Sequence, residues 1–217
     1  MSEALARAST YLPVLLEGVW VTIAVTVLSL LVSTVLGLFW AILGWTKVPA
    51  FRAISRTFIT VIRGIPIIVQ LFYIYFVMPD IGINMTAFQA GVIGMGIAYS
   101  AYQAENFRAG IEAIDRGQIE AAQSIGMSDS LIMRRVILPQ AFRIALPPYG
   151  NTMIMMLKDS SLVSTITVAE LTRQGQLIAA STFDNMTVFT LVAIIYLIMA
   201  LPLTYLARQL ERRYKKT

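Results

Sequence analysis

From residue 19 to residue 45 the chain carries no charged side chain. At about 1.5 Å of rise per residue, a helix over this stretch crosses a hydrocarbon core of roughly 30 Å with some tilt. The stretch is therefore predicted to be a transmembrane helix, and Trp40 and Trp45 near its end suit the interfacial aromatic belt. Composition agrees: a chain of 217 residues that is 57% hydrophobic and only 13% charged is too apolar to cover itself as a soluble domain.

The remaining segments follow from hydropathy and the distribution of Lys and Arg. Lys47, Arg52 and Arg56 fill a connection broken by Pro49, and this positive loop is expected on the cytoplasmic side, which puts the N-terminus outside. A second span is predicted over residues 57–79, carrying Arg63 ahead of Gly64 and Pro66, which loosen a helix and free backbone groups. Residues 80–85 lack Lys and Arg and fit the outer side. The third span, 86–107, has Gly91, Gly94 and Gly96 for close helix contact and Glu105 near its inner end. The fourth, 144–168, is interrupted by Pro147, Pro148, Gly150 and Asn151 and meets Lys158-Asp159, where a local ion pair is the simpler account of the two charges. Residues 159–185 read as outer gate and loop, and 186–207 as the last span before a basic tail of Arg208, Arg212, Arg213, Lys215 and Lys216. The expectation is one all-α integral membrane domain over residues 1–217, with five transmembrane helices, the N-terminus out and the C-terminus in. Residues 1–18 read either as a helix on the membrane surface or as a plain lead-in. No cleavable signal peptide is expected, and no lipidation motif occurs.

With no Cys and no His, disulfides, zinc sites and the usual acid–base residue are not expected, and no metal or cofactor is. The net charge of +5 sits at the ends of apolar segments, which fits topology rather than nucleic acid. The chain contains no Gly-x-x-x-x-Gly-Lys-[Ser/Thr], so a nucleotide-driven process would draw on another subunit and the chain itself is not expected to be an enzyme. An odd number of spans in so short a chain suggests half a transporter, with the pathway between two subunits.

Residues 112–140 are the one long polar interruption. A short helix is predicted over 118–125, ending where Gly126 can take the left-handed conformation, and another from Ser128 as N-cap, stopped by Pro139. Ala121, Ala122 and Ile125 form a small apolar face beside Glu120, either part of a solvated loop or a surface for a groove on another protein. Glu120-Ala121-Ala122, Gly126 and then Ile137-Leu138-Pro139 resemble the cytoplasmic EAA loop of ABC importer permeases. Arg63-Gly64-Ile65-Pro66 with Gln70, Ala98-Tyr99 with Ala104-Glu105 and Arg108, Pro147-Pro148 with Asn151, and Lys158-Asp159-Ser160-Ser161-Leu162 extend the resemblance to the polar-amino-acid branch of that family. The resemblance implies a type I importer transmembrane fold in a bacterial inner membrane. It implies that Glu120, Ala121, Ala122 and Gly126 couple the chain to an ATPase. The partners it implies are two ATP-binding cassette subunits, a second permease subunit (the same or a similar chain), an extracytoplasmic solute-binding protein, membrane lipid and a polar amino acid.

A charge at the centre of a membrane helix costs roughly 2.5–3.5 kcal/mol on insertion scales, so Arg63 and Glu105 call for a partner or a cavity. Two readings stand: a structural role, in which the two pair with each other or with neighbours and hold helices together, or a pocket in which a guanidinium grips an α-carboxylate and a carboxylate takes an ammonium. Gln70, Tyr99, Tyr102, Asn151 and Ser161 are the candidates to complete a substrate-binding pocket. Arg134 and Arg135 fit a solvated or headgroup-facing role, or acidic groups on a partner. An ion-coupled carrier without an ATPase is the alternative function; it predicts internal repeats, and none is found. The amino acid itself stays open.

Overall fold

The computed structural model describes residues 2–214, which are helical with no strand among them. Helix α1 (Ser2–Trp45) takes in most of the predicted lead-in, because Pro13 lies inside it without breaking it. Its apolar part, Ala6–Trp45, is 40 residues long. At about 1.5 Å per residue this is roughly twice the hydrocarbon thickness, so α1 tilts or projects beyond it. Helix α2 (Pro49–Gly64) starts on a proline, whose missing N–H costs nothing there, and ends at Ile65, which Pro66 pushes into extended geometry.

Helix α3 (Ile67–Phe72) leaves α2 at 100° and continues through a π turn, Tyr73–Val77, and a 3₁₀ turn, Met78–Ile81. The second predicted segment is thus a bent pair that starts at Pro49. Gln70 Nε2 donates to the carbonyls of Ile62 and Ile65, each at 2.8 Å, and so satisfies acceptors that the bend frees.

Helix α4 (Ala87–Glu112) opens with a capping box between Thr86 and Gln89 and packs along α1 and α7. At Gly96 an added Cβ would lie 2.4 Å from the Val32 side chain, so glycine sets the closeness of the α1–α4 crossing. Helix α7 (Leu138–Asp159) runs unbroken through Pro147 and Pro148, and the interruption expected there falls later, in the 3₁₀ turn Ser160–Ile166. Helices α8 (Leu171–Thr182) and α9 (Asn185–Tyr214) follow. Buried Glu170 accepts from the backbone of Thr172 and Arg173 and from the Tyr196 hydroxyl, which fastens α8 to α9. The Leu171 N–H, donating to Thr22 Oγ1 at 3.1 Å, fastens α8 to α1.

The core gathers Val25, Leu71, Met95, Tyr99, Met156 and Ile166 between α1, α3, α4, α7 and the 3₁₀ turn. By length and composition α1 and α9 can each cross a membrane, and the bent pair α2–α3 passes the same test as one unit. Helices α4 and α7 have 26 and 22 residues but carry polar side chains such as Gln103, Asn106 and Thr152. Of the predicted basic tail, Arg212 and Arg213 close α9, while Lys215 and Lys216 lie outside the described residues.

Candidate functional site: a coupling arm and a charged cleft

Between α4 and α7 the polar stretch folds into two short helices, α5 (Arg116–Ser124) and α6 (Asp129–Ile132). Asp115 caps α5 by accepting from the Gly117 N–H at 2.7 Å. Gly126 follows the helix at φ +82°, the left-handed turn that most L-residues resist. Ser128 occupies the N-cap of α6 by backbone geometry, without a side-chain hydrogen bond.

Pro139 does not stop the second helix. The chain winds a π turn over Met133–Ile137 and enters α7, with Pro139 in its first turn. A wider turn accommodates both the missing proline N–H and the crowding of its ring against the carbonyl four residues back.

The expected apolar face of α5 divides. Ala122 is buried against Ile114, Ile132, Ile137 and Ala141, so α5 is anchored to the body of the chain. Glu120 and Ala121 are exposed, and Ile125, just past the end of α5, is 79% exposed. Gln140 Nε2 donates to Gln118 Oε1 at 2.7 Å and ties α7 to α5. Arg134 and Arg135 stand exposed on the π turn.

The second site is a cavity of about 590 Å³ between α2 and α4, lined by Arg56, Ile59, Thr60, Arg63, Gly64, Tyr102 and Glu105. The Arg63 guanidinium lies 5.3 Å from the centre of the Tyr102 ring, a cation–π distance. Glu105 does not pair with Arg63. It accepts from Arg108 on the next turn of α4, at 2.6 and 3.1 Å, and Arg108 also grips Glu112 at 2.7 and 2.8 Å. Among the described residues no carboxylate forms an ion pair with Arg56 or Arg63. The cavity thus has a cationic wall on α2 facing a wall on α4 formed by Tyr102 and the Glu105 carboxylate, which Arg108 holds from outside the lining.

Of the seven residues named for a pocket, the structure brings Arg63, Tyr102 and Glu105 together. Tyr99 is buried, and its hydroxyl donates to Asp159 at 2.6 Å, which leaves Asp159 paired with Tyr99 rather than with Lys158. Gln70 is spent on the bend, Ser161 donates to the Lys158 carbonyl, and Asn151 does not line the cavity. Arg56, which the sequence suggests only as a charge that sets topology, and Thr60 also line the cavity, while Arg108, bound to Glu105 and Glu112, stands outside the lining. The signal for Arg56 was its spacing from Arg63, seven residues, which puts both on one side of a helix.

The profile of the family described as "Binding-protein-dependent transport system inner membrane component" matches residues 33–216. The chain is 40% identical over 210 residues to the glutamine transport system permease protein GlnP of Escherichia coli (strain K12), covering 94% of each chain. It is 38% identical over 205 residues to the L-cystine transport system permease protein TcyB of Bacillus subtilis (strain 168), covering 94% of this chain and 88% of that one. Its fold superposes with a TM-score of 0.90, at 40% identity, on a chain of an amino acid ABC transporter crystallised with histidines, covering 94% and 96% of the two chains. The MetNI methionine ABC transporter shares the fold at a TM-score of 0.78 and 23% identity. The profile match over most of the chain and the extent of these identities establish that the chain belongs to the binding-protein-dependent inner-membrane components, the multi-pass permease subunits of ABC importers.

Proposed function

We propose that the chain carries a polar amino acid across the bacterial inner membrane as one of two permease subunits driven by a pair of ATP-binding cassette subunits and supplied by an extracytoplasmic receptor. The observation that carries the substrate reading is the cleft: unpaired Arg63 on one wall and Glu105 on the other match the carboxylate and ammonium of a zwitterion. The names of the relatives, which refer to glutamine and L-cystine, support the same class.

In this reading α1, the bent pair α2–α3, α4, α7 and α9 are the five spans, with the N-terminus outside. The cleft opens on the surface of a single chain, as suits a pathway completed by a second permease subunit. On the cytoplasmic side Glu120, Ala121 and Ile125 meet the ATPase, while buried Ala122 transmits its movement to α4 and α7. ATP binding draws the two ATPases together and swings the pathway outward to take substrate from the receptor.

The experiment is uptake by the complex reconstituted in proteoliposomes with its ATPase and receptor, using a panel of labelled amino acids. The reading requires ATP-dependent uptake of a polar amino acid. Uptake that persists without ATP and follows an ion gradient would overturn it.

A further inference from the structure

Helix α2 carries more cations than one substrate carboxylate needs. Arg52, Arg56 and Arg63 lie at intervals of four and seven residues, which places them within about 40° of one another around the helix, with steps of about 6 and 10 Å along its axis. All three are exposed, and so is Thr60 between the last two. On one flank of this stripe α2 packs through Ser55 and Ile59; on the other it shows an apolar face with Ile54 and Val61, 52% and 50% exposed. Arginines that served only as membrane anchors would reach for headgroups at the start of the helix. Arg56 and Arg63 instead border the same cavity, and Arg52 continues the line toward the start of α2, where its guanidinium donates to the Lys47 carbonyl at 3.3 Å.

We propose that Arg56 and Arg52 extend the Arg63 site as a relay, along which the α-carboxylate of the amino acid is handed toward the cytoplasmic mouth. This rests on the reading of the chain as an amino-acid permease with the start of α2 on the cytoplasmic side. Each step exchanges one guanidinium for the next about a helical turn or two away, so the anion is not stripped of its partner between the deep site and water. The ammonium meets Glu105 on the opposite wall. Release is thereby selective for the amino-acid backbone and indifferent to the side chain.

The chain has no native cysteine, so a single introduced thiol reports on the stripe. Thr60→Cys leaves all three arginines in place, and Gly64→Cys, whose added Cβ meets open space, gives a second reporter. In the assembled complex without nucleotide, each thiol is titrated with the anionic 2-sulfonatoethyl and the cationic trimethylammonioethyl methanethiosulfonates. Ile54→Cys on the apolar flank serves as reference. The relay predicts that Thr60→Cys and Gly64→Cys favour the anionic reagent over the reference by about fivefold or more, and that Arg56→Gln lowers this preference about threefold at Thr60→Cys. A ratio of the two rates equal to that at the Ile54→Cys reference, or a preference that Arg56→Gln leaves unchanged, overturns it. Uptake of L-glutamine, or of whichever amino acid the panel gives, is measured on the complex without introduced thiols. An anion preference without any amino-acid uptake would keep the relay and discard the substrate class; uptake without the preference would keep the permease reading and discard the relay.

Discussion

The coupling arm and the charged cleft solve opposite problems. In the arm, apolar side chains turn inward: Ala122, Ile132 and Ile137 hold α5 and α6 to the ends of α4 and α7, and the charges of Arg134 and Arg135 stay in water. In the cleft, charged groups line the hollow and the apolar side chains Ile54 and Val61 face away from it. In the proposed reading an arm packed this way moves with α4 and α7 as one body, as coupling to a partner requires. The two guanidiniums of the cleft, which form no ion pair with a carboxylate among the described residues, are in the same proposed reading open to an anion brought from outside.

The contrast can be broken first at the joint between the regions. An added Cβ at Gly110 on α4 would lie 2.7 Å from the Ala141 carbonyl oxygen of α7. Gly110→Ala is expected to lower stability by about 1–3 kcal/mol through overpacking, read as a fall in unfolding temperature in detergent, and to impair uptake with it. An unchanged unfolding temperature would mean that α4 and α7 are not held together there.

Next in size, Glu120→Lys on the exposed side of the arm should lower ATP-driven uptake about tenfold, equivalent to about 1.4 kcal/mol, while ATP hydrolysis continues. Parallel loss of both activities would make α5 a folding element rather than a coupling one. Glu105→Gln removes the charge on the α4 wall but keeps its shape. It is expected to lower uptake about threefold, by weakening the ammonium site and releasing Arg108, with assembly unchanged on size-exclusion chromatography. The smallest effect belongs to the ion pair of Lys47 with Asp129, whose side chains are 93% and 73% exposed. Lys47→Ala should change stability by less than about 0.5 kcal/mol.

The arm was more legible in the sequence than the cleft. Its turn rests on one glycine at a helix end, and Gly126 is where that local rule puts it. Its register was not: Pro139 looked like a stop and is the first turn of α7, because a π turn absorbs a proline in a way that no local pattern announces. The bend after α2 could be read from Gly64 and Pro66, whereas its direction depends on Gln70 reaching back to two carbonyls. The cleft joins residues about forty positions apart, so spacing alone could not separate Tyr102, which borders it, from Tyr99, which points into the core toward Asp159. Nor could it show that Arg108 would take Glu105 and leave Arg63 without a carboxylate.

The measurement that bears most directly on the cleft is made on Arg63→Ala in the reconstituted complex, with uptake, ATP hydrolysis and assembly followed together. The account predicts uptake lowered about tenfold or more, the loss of one charge-assisted contact, with assembly and basal hydrolysis retained. Wild-type uptake, or an equal loss of uptake and assembly, would contradict it and return Arg63 to a structural role.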